Sequence, residues 1–222
     1  TWLDGYVMGI PNRKVSIYTE GALCAMMLDI CFLEKSVGQV SLRSLMTKIY
    51  KEYACKGKGL SEEDYIHELM AFGGAKALAI VENHIYGTKD FRNSIDEVFS
   101  LVGVGIVEQA NPDVLAANFG LKGLLQKEGL LIKQVQIGSV ADHSKIALGD
   151  SILAIEGGEV TKELLNSLKI KESISVRLKR RFEILDVKLS VASQLYFPIF
   201  KIVPIETRSE LQKMLFEKWT NS

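Results

Sequence analysis

The stretch that most constrains this chain runs from Val135 to Gly157, VQIGSVADHSKIALGDSILAIEG. A β-branched strand leads to Gly138-Ser139 and a short helix. The turn Leu148-Gly149-Asp150 follows, and then a second apolar strand, SILAIEG. Two apolar strands bracketing a short helix, each bounded by glycine turns, require a sheet in which to bury their faces. The later part of the chain is therefore expected to form a small strand-rich module.

With 222 residues the chain can form one large domain or two small ones. Lys plus Arg equals Asp plus Glu at 27 each, and no basic stripe or basic helix is present, so no nucleic-acid partner is expected. The longest apolar stretch, Ala22 to Leu33, contains Asp29. It falls short of the roughly 18 residues a bilayer span needs, so no membrane span is expected. No signal peptide opens the chain. It starts with Thr1, which suggests a piece of something longer and leaves a signal peptide on the parent open.

Three cysteines are present. Cys24 and Cys31 fall on one helical face, about 10 Å apart along the axis. That exceeds the Cα separation a disulfide tolerates, about 7 Å. Cys55 belongs to another helix, and no metal-ligand spacing appears. All three are expected as buried free thiols, which leans towards a cytoplasmic location.

The first half reads as helices. Gly21 to about Leu33 is apolar nearly all round, as in a central buried helix. Ser41 caps the next, in which Leu42, Leu45, Met46, Ile49, Tyr50 and Tyr53 recur at helical spacing, until Gly57 and Gly59. Ser61 caps another, with Glu62, Glu63 and Asp64 at its positive end, and Gly73-Gly74 is expected to stop it. Ala77, Leu78, Val81 and Ile85 define a fourth, closed by Gly87, and Ile95, Val98, Phe99 and Val102 a fifth. After Gly103 the character changes. Val104 to Val107 reads as a strand, and Asn111-Pro112-Asp113 as a turn and domain boundary. Thr161 to Leu168 is a short helix. Ile174, Val176 and Leu178, then Leu185, Val187, Leu189 and Val191, alternate as two adjacent strands turning near Arg180-Arg181. The tail runs extended from Tyr196 through Pro204, and Thr207 with Glu210 is in capping-box spacing for a last helix.

The segment from about Val114 to Ala192 resembles a PDZ domain of the bacterial protease-associated form. Asn118-Phe119-Gly120-Leu121-Lys122 stands where such a domain has its carboxylate loop. The resemblance implies a groove that captures a peptide or protein C-terminus, with Phe119, Gly120, Leu121 and Lys122 at the loop. Leu121 would line the apolar pocket, and Leu164 and Leu168 would form its far wall. Extended ligands add a strand at such an edge, and side-chain pockets supply specificity. Val140 stands where the family usually has proline, and Lys145 where it often has glycine.

Ser16-Ile17-Tyr18-Thr19-Glu20-Gly21-Ala22 resembles the segment after the zinc site in gluzincin aminopeptidases, where a Tyr-x-x-Gly motif opens a core helix. The resemblance implies that Tyr18 donates a hydrogen bond to the oxyanion of the tetrahedral intermediate, a role suited to a phenol O–H. The order of parts is that Tyr-x-x-Gly helix, SLRSLM, an acidic-capped helix, the Gly87 loop, the PDZ-like module, then YFPIFKIVP and LFEKW. From Val15 to Trp219 it resembles the PDZ-containing glycyl aminopeptidases, a family of zinc metallopeptidases.

That resemblance implies an α+β multidomain chain. Residues 1–110 would be an all-α bundle, the C-terminal part of a gluzincin catalytic domain; 113–193 a PDZ-like β-sandwich or barrel; and 194–222 a tail with a C-terminal helix. The family's zinc motif, His-Glu-x-x-His, is missing. His67-Glu68-Leu69-Met70-Ala71 begins like it but ends in alanine, and a ligand pair needs both imidazoles on one helix face. Glu20 reads as a first-turn carboxylate favouring the helix dipole. The expected function is therefore the C-terminal part of a zinc-dependent aminopeptidase, inactive alone and holding no cofactor itself, with zinc in the full-length parent. Its partner would be a peptide at the groove or the missing N-terminal part of the same protein. The alternative is a non-enzymatic PDZ adaptor.

Overall fold

The computed structural model describes residues 17–169 and 172–221. Val15 and Ser16, which open the aminopeptidase resemblance, lie outside them. The chain is an α+β fold with antiparallel pairing in its main sheet, divided into two compact units. Residues 17–107 and 202–221 belong to a helical unit, and 108–201 to a strand-rich unit. The tail is thus shared between the two.

In the helical unit, α1 (Ile17–Lys35) is the central element. Its Met27, Ile30, Cys31 and Phe32 are fully buried. Asp29 fits within this apolar helix because its Oδ1 accepts the Leu42 N–H at 2.6 Å, serving an otherwise unpaired donor at the start of α2 (Leu42–Glu52). Ser41 and Ser44 cap α2 reciprocally. A 3-10 turn, Ala54–Lys56, carries Cys55 on the surface, contrary to the buried thiol expected there.

Helix α3 (Glu62–Ile80) starts at Ser61, whose side chain accepts the Asp64 N–H. The expected stop at Gly73-Gly74 is instead a break within one element. Gly74 takes φ 65° and ψ −153°, a conformation open to glycine, and the helix resumes. Packing overrides the stop signal: a Cβ on Gly73 would lie 2.6 Å from Phe32 Cε1, so only glycine lets α3 approach α1 here. Lys35 Nζ donates to the Ala71 carbonyl at 2.9 Å, covering an acceptor at the break. A π turn, Val81–Ile85, and α4 (Phe91–Leu101) follow. The last helix, α8 (Glu210–Thr220), adds Leu215 to the same core. Its cap is Ser209 with Gln212, not Thr207 with Glu210, because Ser209 is the extended residue whose hydroxyl accepts the Gln212 N–H while Gln212 reaches back.

The strand-rich unit contains α5 (Val114–Phe119), β2 (Leu121–Gln126), β3 (Gly129–Val135), α6 (Val140–His143), β4 (Ser151–Ile155), β5 (Gly158–Glu159), α7 (Lys162–Ser167), β6 (Ser173–Arg180) and β7 (Glu183–Ser190). The sheet runs β2-β3-β4-β6-β7, with β5 against β4. It does not close into the expected barrel: β2 and β7 remain its two ends. Strands β1 (Val104–Gln109) and β8 (Ile199–Pro204) pair separately. Inward residues of the main sheet, Ile132, Ile152, Ile155, Leu178 and Leu189, pack with Phe119 and Leu121 into one core. The β6–β7 register places Arg180 opposite Glu183, leaving Arg181 and Phe182 as the turn, with Arg181 at φ 53°.

Candidate functional site

Strand β2 leaves one edge without a strand partner among the described residues, because its only pairing is with β3. A cavity of about 400 Å³ lies beside this edge. Gly123 and Leu125 of β2, Leu130 of β3, Leu165 and Asn166 of α7, and Pro112 to Leu115 at the start of α5 line it. Strand alternation explains the lining from β2: Gly123 and Leu125 share one face, and Leu124 points the other way, exposed. Gly123 is needed because a Cβ there would lie 2.4 Å from Leu130 Cγ. Thr161 starts α7 by accepting the Leu164 N–H at 3.1 Å, which fixes the helix phase that turns Leu165 to the cavity.

The residues expected at the carboxylate loop lie at the head of this edge. Phe119, Gly120 and Leu121 are buried as whole residues, Phe119 and Leu121 within the core. Gly120 has φ 70° and ends α5 by donating its N–H to the Ala116 carbonyl at 3.1 Å. Its carbonyl accepts the Gln136 N–H at 2.8 Å. A segment of the tail covers this turn. Tyr196 is buried, and its N–H donates to the Ala117 carbonyl at 2.9 Å. Phe197, at φ 46°, donates its N–H to Gln136 Oε1 at 2.9 Å and accepts from Asn111 Nδ2 at 2.9 Å. The Lys122 ammonium stands 4.4 Å from the centre of the Phe197 ring. A bulky residue in this left-handed conformation persists only where its surroundings hold it, and three contacts do so here.

Leu164 and Leu168, expected as the far wall, are half-buried against the module's core, as is Leu165, which together with Asn166 also lines the cavity. Val140 opens α6 behind the Ser139 cap, and Lys145 takes φ 60°, the conformation for which glycine is favoured. Neither lines the cavity.

In the helical unit Tyr18 sits in the first turn of α1, 73% exposed. The same turn borders a second cavity, of about 520 Å³, lined among others by Ile17, Glu20, Cys24, Met46, Tyr65 and His84. Burial pushes the Cys24 thiol up, and the nearby Glu20 charge adds to this. Burial likewise raises Tyr65. His84 is committed on both ring nitrogens: Nδ1 donates to the Lys89 carbonyl at 3.2 Å, which leaves Nε2 to accept from Ser94 Oγ at 2.9 Å. His143 is bonded through Nδ1 to the Ser139 carbonyl, and His67 is exposed on α3. Among the described residues no three His, Cys, Asp or Glu side chains are grouped to hold a metal. No helix among them is long and apolar enough to cross a membrane.

The chain is similar in structure to an aminopeptidase N family protein from Idiomarina loihiensis, with a TM-score of 0.75 and 21% identity. The likeness covers 94% of this chain and 37% of that one, so this chain spans little more than a third of that protein's length. It establishes the shared fold. Two slighter likenesses are confined to part of the chain. A serine endoprotease from Yersinia pestis gives a TM-score of 0.28 at 23% identity, over 34% of this chain and 28% of that one. The HtrA3 PDZ domain bound to a phage-derived ligand gives 0.27 at 12% identity, over 45% of this chain and 92% of that one. No family model matches the chain, and no curated protein matches it.

Proposed function

We propose that this chain is part of a zinc-dependent aminopeptidase of the PDZ-containing glycyl type. It supplies the helical scaffold beside the catalytic centre and a peptide-binding module. The observation that carries the reading is the fold shared with an aminopeptidase N family protein across both units. The open β2 edge with its adjoining cavity, into which Leu125, Leu130 and Leu165 face, supports the peptide-binding part. Ile17, Met46 and Ile85 are exposed around the cavity by α1, and such an apolar cluster supports the expectation that further protein covers this face.

The described residues do not fit a zinc ion. The histidines are dispersed and two of them are engaged in hydrogen bonds to carbonyls, so the metal of the parent enzyme belongs to residues outside those described. Tyr18 serves as the oxyanion donor to a substrate held mainly by that other part; its exposure leaves the phenol O–H free to reach it. The free thiols accord with a cytoplasmic setting.

The purified chain, with or without added zinc, should give no turnover of glycyl p-nitroanilide above the blank. Clear turnover would refute the view that it needs the rest of the enzyme. In the intact parent, Tyr18→Phe should lower kcat about 100-fold with little change in KM, as removal of one oxyanion donor does. An unchanged kcat would remove Tyr18 from the mechanism.

A further inference from the structure

We infer that the groove beside β2 takes an internal extended segment of polypeptide with an apolar side chain, not a free chain terminus. This rests on the peptide-binding reading above and narrows its ligand class. Two independent observations carry it.

The first is the state of the loop that would hold a terminal carboxylate. Such a loop works by presenting convergent, accessible backbone N–H groups. Here Phe119, Gly120 and Leu121 are buried as whole residues. The Gly120 N–H is spent on the Ala116 carbonyl, and Tyr196 is packed over the turn with its own N–H on the Ala117 carbonyl. Lys122, the cation of the loop, is held against the Phe197 ring. The chain's own tail therefore covers the turn expected to hold a ligand terminus.

The second is the charge of the open part of the groove. Its lining residues include one ionisable side chain, the exposed carboxylate Asp113, and no lysine or arginine. Asp113 Oδ1 already accepts the Leu115 and Ala116 N–H groups at 2.9 and 3.1 Å, which fixes this carboxylate at the wall. A ligand carboxylate placed there would meet like charge with no compensating cation. What remains available is the backbone edge of β2 from Gly123 onward, to which no hydrogen bond other than those of β3 runs among the described residues, and the apolar floor of Leu125, Leu130 and Leu165. Those are the requirements of an added strand passing through, with one apolar residue turned into the cavity.

The test uses the full chain as bait for two display libraries of random decapeptides, one ending in a free carboxylate and one flanked on both sides by Gly-Ser. The flanked library should yield binders. As synthetic peptides these should keep their Kd within about twofold when the terminal acid is replaced by an amide or a Gly-Ser extension, a difference below 0.5 kcal/mol by the affinity relation. Leu125→Asp, at an exposed position lining the groove, should weaken them at least about tenfold. Leu124→Asp, on the other face of the strand, should not. Binders found only with a free terminus, and lost on extension, would overturn the inference while leaving peptide binding at the groove intact. Binders indifferent to Leu125→Asp, or none from either library, would overturn both.

Discussion

Asp150 and Arg180 grip each other through two charge-assisted hydrogen bonds, Nε to Oδ1 at 2.8 Å and Nη2 to Oδ2 at 2.6 Å. The carboxylate is buried, and its Oδ2 also accepts the Ala147 N–H at 2.9 Å. The same Nη2 donates to the Lys145 carbonyl at 2.6 Å. One ion pair thus ties the Leu148-Gly149 turn to the end of β6. It also holds Lys145 in a left-handed conformation that a glycine would adopt without strain.

Acid should weaken the chain through this pair. Burial alone would raise the Asp150 carboxyl, but the Arg180 hydrogen bond, the Ala147 N–H and the Arg180 charge together hold it below the usual carboxylate range. A group depressed in the folded state stabilises at pH values above its unfolded pKa, about 3.9, and that contribution is lost as pH falls through the folded value. Urea midpoints should therefore show no dependence on Asp150 between pH 5 and 7, and a fall below about pH 4. Arg180→Met leaves the buried carboxylate without its partner. It should cost about 2–3 kcal/mol at neutral pH, less than the roughly 3–5 kcal/mol of a fully buried pair because Arg180 is itself partly exposed. An unchanged midpoint in Arg180→Met would show that the turn holds without the pair.

Gly120→Ala should be one of the most damaging conservative changes in the strand-rich unit. A Cβ there would lie 2.3 Å from Ser139 Cβ and 3.2 Å from Tyr196 Cγ, on a backbone at φ 70°. Conformational strain and overpacking add, for a loss of about 2–4 kcal/mol. Gly138→Ala is the control: its φ is 74°, but a Cβ meets nothing within 4 Å, so it should lose only about 1 kcal/mol. Equal losses by urea unfolding would mean that the packing of Ser139 and Tyr196 against Gly120 contributes nothing.

Local signals made much of this architecture legible. The apolar run of α1, the Ser41 and Ser61 caps, the β6–β7 alternation and the Gly149-Asp150 turn each act over a few residues, so the sequence carries them openly. What escaped depends on distant partners. Gly73-Gly74 reads as a stop until Phe32 and Lys35 are packed against it. The Tyr196-Phe197 segment covers the α5–β2 turn through bonds to Ala117, Gln136 and Asn111, up to 86 residues away, and no local pattern encodes them. Which face of α7 borders the cavity also depends on helix phase. Leu164 and Leu168 share the apolar spacing, yet the phase fixed by Thr161 turns Leu165 to the cavity; the cap itself was the signal that could have shown this.

The break in α3 should be sensitive to side chains in two distinct ways. Gly74→Ala forces a Cβ into φ 65° and ψ −153°, a region nearly closed to other residues, and should cost about 1–3 kcal/mol. Gly73→Ala keeps helical backbone but drives a Cβ to 2.4 Å from Ala77 Cβ and 2.6 Å from Phe32 Cε1. Trimming Phe32 to leucine should relieve part of the second defect and none of the first, because only Gly73 faces that ring. A double-mutant cycle by urea unfolding reads this as a favourable coupling between Gly73→Ala and Phe32→Leu of about 1 kcal/mol, against about zero with Gly74→Ala. Equal couplings would mean that contact with Phe32 is not what holds glycine at position 73.

The three thiols should separate by reactivity, since the thiolate is the nucleophile and access gates it. Cys55 is exposed on its 3-10 turn, whereas Cys24 and Cys31 are buried. Burial pushes Cys31 up to about 11, with Lys76 drawing it down slightly and Glu34 raising it. At pH 8 the native chain should release one fast equivalent of thionitrobenzoate from Ellman's reagent, and Cys55→Ser should abolish that phase. Cys24, raised by burial and by Glu20 but set beside an open cavity, should follow slowly. Cys31 should react only at the rate of unfolding, and urea should bring it in together with the loss of helical circular dichroism. A Cys31 that reacts while the helical signal is intact would mean that the α1–α3 core opens without unfolding, and would contradict the close approach at Gly73.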